Sequence, residues 1–347
     1  MNSSNVLFVG PVDKHGGMGA VIRTYQEMFS DFHFIPTHDS DSKFEFLYFI
    51  KSLFSILLLF IRNKSIFIVH IHAASHGSFF RKSIIVLIAK LFHKKVLLHI
   101  HGGGFIKFYT QNILTSYYVK FIFYISDLII CLSPDWKKKL SFIQTLTPFK
   151  VLSNPVQDIN VARVKRDTST LNLLYIGAIN HNKGIFKLVD YISTNSYFQT
   201  GKIHLSIAGI GEVKTLNDKT AAIHANDRIN YLGWISKAEK TDLLFSHDIL
   251  ILPSFYEGLP VSILEALSAQ MPVISTHVGA IPDVVIPGLN GWLFDPSDFN
   301  QLDEIFNDIF DNPHLVEQYG LSSKLIVTPY LVESVKHDLE NIYNSLI

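Results

Sequence analysis

Pro253-Ser254-Phe255-Tyr256-Glu257-Gly258-Leu259-Pro260-Val261-Ser262-Ile263-Leu264-Glu265-Ala266 is the stretch from which the rest of the chain is read. Before it, Asp248-Ile249-Leu250-Ile251-Leu252 is a short apolar run that ends at a proline, the pattern of a buried strand. Pro260 suits the first turn of a helix, where its missing N–H is not needed. That helix is expected to run to about Gln270. Its free amides, from Gly258 to Ile263, form a site for an anion such as a diphosphate. Glu257 would sit beside that anion. Glu265, a turn or so further in, would accept bonds from a sugar or ribose diol. A strand end, an anion site and two flanking carboxylates fit a nucleotide-sugar better than a bare phosphate. An ordinary βα unit with surface glutamates on its helix has the same spacing.

Outward from this stretch, apolar runs alternate with helical patterns. The first half offers strands at Val6–Val9, Ile66–Ile71, Val96–Ile100 and Leu128–Leu132, with a helix from about Ala20 to Phe29. The second half offers strands at Leu171–Ile176, His204–Ala208, Ile229–Tyr231, Ile249–Leu252 and Val273–Ser275. Alternation of this kind predicts βα units and parallel sheets, hence an α/β protein. A boundary is expected near Val151–Pro155, ahead of a polar stretch from Asp158 to Ser169. This gives a first domain over 1–153 and a second over 154–330. Two Rossmann-like domains facing a central cleft would bind ligands at the carboxyl ends of their strands.

The chain has 347 residues, of which 48% are hydrophobic and 17% charged, so a large core is available and disorder is not indicated. Its single cysteine, Cys131, excludes an intramolecular disulfide and a cysteine-based zinc site. Met1 to Asn5 lead straight into Val6–Val9, with no basic n-region and cleavage site, so no signal peptide is read and a cytoplasmic location is expected. Net charge is zero, but residues 1–165 carry 19 Lys and Arg against 9 Asp and Glu, and the remainder carry 11 against 21. The apolar run Leu47–Ile61 is too short to span a bilayer. Lys43, Lys51, Arg62 and Lys64 flank or interrupt it, and Arg81, Lys82, Lys90, Lys94 and Lys95 follow. A buried core helix explains the run alone. The run together with the basic charge points to peripheral contact with an anionic membrane face. Nucleic acid is not expected, because the basic half lacks a recognisable nucleic-acid motif.

The quoted stretch, with its Glu-x7-Glu spacing, resembles the donor-site signature of retaining glycosyltransferases of family 4, of the bacterial surface-polysaccharide type, which have the GT-B fold. Pro272-Val273-Ile274-Ser275-Thr276, Val278-Gly279 with Pro282-Asp283, and Asn290-Gly291-Trp292 extend the resemblance. It implies that the last helix, about 331–347, packs back on an acceptor-binding first domain, and that the second domain binds the donor. It implies that Glu257 holds the donor sugar, with Gly258, Leu259, Pro260 and Val261 around the anion, and that Glu265 binds the ribose. Gly16 and Gly17, in the loop between Val9 and the first helix, would lie against the diphosphate. His101, in His99-Ile100-His101-Gly102, would touch the sugar. Strand alternation points His99 the same way, so pattern alone does not separate the two.

Gly177-Ala178 with Lys183-Gly184 resembles an element in which an arginine and a lysine neutralise the leaving diphosphate. Lys183 is present, and Ala178 stands where the arginine is expected. Gly209 and Leu232 fall in loops that resemble those around the nucleotide base. His38-Asp39-Ser40-Asp41 mimics a metal-binding DxD, but nothing else supports that chemistry, so no metal and no cofactor are expected.

The reading is a transferase that moves a hexose or N-acetylhexosamine from a UDP- or GDP-sugar to a hydroxyl of a glycan acceptor. A lipid-linked acceptor in O-antigen, capsule or lipopolysaccharide synthesis fits the basic, apolar first half. Catalysis would rest on stabilising the departing diphosphate, with Glu257, His101 and Lys183 nearest the reacting centre. The resemblance implies a front-face route, in which the leaving phosphate takes the acceptor proton. An epimerase on the same fold, or a non-catalytic glycan-binding module, are the alternatives.

Overall fold

The computed structural model describes residues 3–12, 16–29, 31–39, 44–160, 169–223 and 228–346. The chain divides into two compact units, Met1–Pro155 with Tyr330–Ile347, and Val156–Pro329. Lys14 and His15 of the first glycine-rich loop, Lys43, and Ser40 and Asp41 of the DxD-like run lie outside the described residues.

In the first unit the order is β1 (Val6–Pro11), α1 (Gly17–Met28), β2 (His33–His38), α2 (Glu45–Arg62), β3 (Ile68–Ala73), α3 (Gly77–Leu91), β4 (Lys95–Ile100), α4 (Phe105–Tyr109), α5 (Ile113–Ile125), β5 (Leu128–Cys131), α6 (Pro134–Ser141) and β6 (Phe149–Val151). The strands form one parallel sheet in the order β2-β1-β3-β4-β5-β6. The chain moves one way from β1 to β2 and the other way thereafter. Right-handed crossovers therefore place α1 on one face and α2, α3, α5 and α6 on the other. Strands β1 and β3 are buried along their whole length, as expected of strands covered on both faces. Local chemistry starts the helices. Asn112 accepts from Thr115 N at 2.9 Å to cap α5. Ser133 accepts from Trp136 N at 3.3 Å, with Pro134 next to it, to start α6.

The second unit runs β7 (Leu171–Ile176), α7 (Ile185–Ile192), α8 (Ser196–Gln199), β8 (Ile203–Ala208), α9 (Val213–Ala222), β9 (Ile229–Gly233), α10 (Lys237–Ser246), β10 (Ile249–Leu252), α11 (Val261–Ser268), β11 (Val273–Thr276), β12 (Gly291–Phe294), α12 (Gln301–Asp311) and α13 (His314–Ile326). Its parallel sheet has the order β12-β11-β10-β7-β8-β9. The order reverses at β7 and β10, the two central strands, so the loops that leave them flank a topological switch point. Ser236 and Glu239 form a capping box at the start of α10.

The last helix, α14 (Val332–Asn344), belongs to the first unit and packs on α1. It buries Val335, Leu339, Ile342 and Tyr343. No helix among the described residues is long and apolar enough to cross a membrane.

Three strands, β2, β6 and β12, go beyond the sequence reading, and all three lie at sheet edges. β2 carries Pro36 and sits at a sheet edge, where a missing N–H is tolerated. β6 is a three-residue edge strand. The helix after Glu257 starts at Val261, one residue past Pro260, and ends at Ser268. The basic field of the first half is smaller than its composition suggests. Lys82 is buried, and Lys90 and Lys95 are paired with Asp127 at 2.8 and 3.2 Å.

Candidate functional site

In the second unit, parallel strands bring the loops after β7, β8, β9 and β10 to one edge of the sheet. The loop after β10 carries Glu257, whose side chain is almost enclosed. Lys183 Nζ lies 2.5 Å from Glu257 Oε1, and Ser254 Oγ donates to the same oxygen at 2.7 Å. Both bonds fall on one carboxylate oxygen, and Oε2 takes part in neither. Lys183 comes from the turn after β7, held by Asn180 Oδ1 accepting from Lys183 N at 3.1 Å. The next residue, Gly184, has φ +72°, and a Cβ there would lie 1.8 Å from Pro253 O. Only glycine permits this contact, and the contact brings the Lys183 turn against the Glu257 loop. Phe255 N donates to Asn182 O at 2.8 Å and ties the two loops again. Ala280 N donates to Gly258 O at 2.8 Å and supports the loop from the far side.

Behind this cluster lies Tyr175, whose hydroxyl donates to Ala178 O at 2.7 Å. Burial, with the Glu257 charge adding to it, pushes the Tyr175 phenol well above its ordinary range and keeps its proton in place. Ala178 is exposed and supplies no charge. Leu259 and Pro260 are buried, and Gly258 and Val261 are half-buried. No side chain caps α11, and no acidic residue stands in its first turn, which leaves the positive end of the helix unopposed.

Glu265, on α11, is paired with Lys240 of α10. Gly177 and Gly209 come close together, since a Cβ on Gly209, at φ +151°, would lie 1.8 Å from Gly177 O. Leu232 is half-buried at the end of β9, beside Tyr231, whose hydroxyl donates to Gly209 O at 3.1 Å.

Gly16, Gly17 and His101 lie in the first unit. Gly16 precedes α1 without a side-chain cap, and a Cβ on Gly17 would meet nothing within 4 Å. The two candidate histidines differ in burial: His99 is fully buried within β4, and His101, just past it, is half-buried. Both belong to a stack of four imidazoles. His72 Nδ1 and His101 Nε2 are 2.8 Å apart, His70 Nε2 and His99 Nδ1 are 3.2 Å apart, and His70 Nδ1 meets the Tyr343 hydroxyl at 2.8 Å.

Burial holds His70 and His101 down to about 3, and it holds His72 and His99 well below their ordinary value, so all four are neutral at pH 7. The ring nitrogens of His70, His72 and His99 come within 4.8 Å of one another, the reach of a metal site. The rings are stacked, however, with His70 4.4 Å from His72 at 21° and 5.4 Å from His99 at 15°. Both nitrogens of His70 and the Nδ1 atoms of His72 and His99 are taken up by neighbouring groups, and only Nε2 of His72 and of His99 has no hydrogen-bond partner. Buried Lys82 already acts on His72 as a positive charge, which opposes a second cation. The stack is a neutral hydrogen-bonded core.

Residues 156–325, nearly the whole second unit, match the family Glycosyl transferases group 1. The second unit carries a group 1 glycosyltransferase domain. Over 88% of this chain and 82% of the relative, the sequence is 23% identical to an uncharacterized glycosyltransferase of Methanocaldococcus jannaschii. The structure of Anabaena HepE in complex with UDP superposes with TM-score 0.79 over 98% of this chain and 99% of that one, at 14% identity. The apo lipopolysaccharide outer core galactosyltransferase WaaB superposes with TM-score 0.71 over 99% of both chains, at 19% identity. The fold is GT-B.

Within the second unit the structure brings Lys183 and Glu257 into contact and gathers Gly177 and Gly209 nearby. Sequence reasoning missed Ser254, Tyr175 and Lys240. Ser254 carried a readable signal, since it lies three residues before Glu257 in the same loop. Lys240 carried none, because its pairing with Glu265 spans two helices.

Proposed function

We propose that the protein is a retaining, metal-independent glycosyltransferase of family 4. It transfers a hexose or N-acetylhexosamine from a nucleoside diphosphate sugar to a glycan hydroxyl. The observation that carries the reading is the Lys183–Glu257–Ser254 cluster beside the uncapped start of α11, within a group 1 glycosyltransferase domain. Lys183 and the α11 amides oppose the charge that develops on the departing diphosphate. Glu257 holds sugar hydroxyls, and Glu265 takes the ribose. Gly16, Gly17 and His101 act on the diphosphate and sugar from the first, acceptor-binding unit. UDP is the preferred nucleotide, in keeping with the UDP bound by HepE. The acceptor is a lipid-linked glycan of surface-polysaccharide synthesis, met at the cytoplasmic face of the inner membrane, with the protein held there peripherally. The lipopolysaccharide role in the name of WaaB supports this part of the reading.

A donor screen tests the proposal. Purified protein is incubated with UDP- and GDP-sugars while nucleoside diphosphate release is followed, with Glu257→Ala and Lys183→Ala in parallel. Release from one donor, lost in both variants, is the expected result. Ala178, in the place of a second basic residue, favours the binding-module reading instead. No release and no donor-induced rise in melting temperature would move the weight to that reading.

A further inference from the structure

Three neighbouring helices of the first unit turn apolar stripes outward, where a helix over a sheet normally turns polar ones. On α2, Phe49, Ser52, Ile56 and Phe60 face the sheet. Phe46, Phe54, Leu58 and Ile61 are exposed. At about 100° per residue these four fall within roughly a third of the circumference, on the side away from the buried stripe. On α3, exposed Phe80, Ile84, Leu87 and Leu91 follow the spacing of one helix face. On α5, exposed Leu114, Tyr117, Phe121 and Tyr124 do the same. The exposure is not marginal: Phe46 and Leu114 are each 78% exposed and Leu91 76%. α3 packs against both α2 and α5, so the stripes share one helical layer.

Charge supplies the second observation. Lys51 and Arg62 are exposed along one edge of the α2 stripe, and Lys64, Lys120, Lys137 and Lys138 are exposed on the same layer. Of the acidic groups of the layer, Asp127 is matched within the unit by Lys90 and Lys95 and Asp135 by Lys139, while Glu45 stands at the start of α2, 3.7 Å from His38. A second copy of this chain would bring like charges together on such a face. An apolar layer fringed by bases complements a bilayer whose headgroups are anionic.

We infer that the outer face of α2, α3 and α5 docks on an anionic lipid bilayer by inserting apolar and aromatic side chains, with the basic fringe on the headgroups. The surface takes its purpose from the lipid-linked acceptor proposed above, but its test needs no catalysis. The protein is mixed with phosphatidylcholine vesicles, with and without phosphatidylglycerol, and the bound fraction is read by flotation at low and high salt, without donor. Binding to the anionic vesicles is expected. The triple variant Phe54→Ser, Ile84→Ser, Phe121→Ser should bind them about tenfold more weakly or worse, while its melting temperature stays that of the wild type. The pair Lys51→Glu, Arg62→Glu should lose the preference for anionic vesicles.

Wild-type protein that fails to float with anionic vesicles at low salt would overturn the inference, as would a triple variant that floats like the wild type. Light scattering that shows a dimer abolished by the triple variant, with no vesicle binding, would assign the face to a second copy. A failed donor screen leaves all these readings unchanged.

Discussion

Lys183→Met should destabilise the second unit by about 2–3 kcal/mol, and adding Glu257→Gln should recover most of that loss. Glu257 is 8% exposed, and its Oε1 takes bonds from Lys183 at 2.5 Å and Ser254 at 2.7 Å. Removing Lys183 leaves an enclosed carboxylate with one neutral donor. Breaking a fully buried pair costs about 3–5 kcal/mol, because the remaining charge is uncompensated. The lysine side chain is 27% exposed, so water screens part of the interaction and reduces the expected cost to about 2–3 kcal/mol. Replacing both charges with neutral groups of similar size removes the uncompensated charge, and such exchanges are often near neutral. For a unit of this size the single variant should lower the melting temperature by roughly 5–10 °C. The double variant should melt within a few degrees of the wild type yet release no nucleoside diphosphate. Urea unfolding of the four proteins of the cycle gives the coupling directly. Equal loss in the single and double variants would refute the argument, since the loss would then not come from the unpaired Glu257 carboxylate.

Lys240→Ala should free Glu265 from its ion pair and weaken nucleoside diphosphate binding several-fold, with little change in stability. Calorimetric titration with UDP and GDP reads the effect, and Lys240→Arg should restore affinity. Gly184→Ala must place a Cβ 1.8 Å from Pro253 O at a positive φ, so a stability loss of more than about 2 kcal/mol is expected, read by urea unfolding. The imidazole stack should make the first unit acid-sensitive. Each of its histidines has a folded-state pKa depressed below the unfolded value near 6.5, to about 3 for His70 and His101. The stability tied to this is present above pH 6.5 and is lost as pH falls from there towards 3, by up to about 1.4 kcal/mol per pH unit for each histidine. Unfolding midpoints of the first unit at pH 7, 6 and 5 check it, and a flat profile would count against neutral imidazoles in the core.

The central strands were legible because burial on both faces requires unbroken apolar runs, as in Val6–Val9 and Ile249–Leu252. Of the four edge strands β9 was legible, and β2, β6 and β12 were not. β2 is only half-buried and contains Pro36, so neither alternation nor an apolar run marks it. The helix in Leu47–Ile61 was legible, but its orientation was not. A segment apolar on nearly all sides has no periodicity to say which stripe meets the sheet. Glu257 could be picked out from its place between a strand and a helix, and Lys183 from the resemblance of its loop to a diphosphate-neutralising element. Their contact depends on Gly184 packing on Pro253, a tertiary event. His99 and His101 share a strand face, and only the depth of the sheet separates them.

The contact of Tyr343 with His70 ties residues near 340 to the core of a unit that otherwise ends at Pro155. On the ribosome, all of the second unit is made before that contact can form. The second sheet can close while the first, though older, still lacks α14 over its Tyr343-facing side. The half of the protein synthesised first is thus the half completed last, and until then His70 lacks its Tyr343 partner.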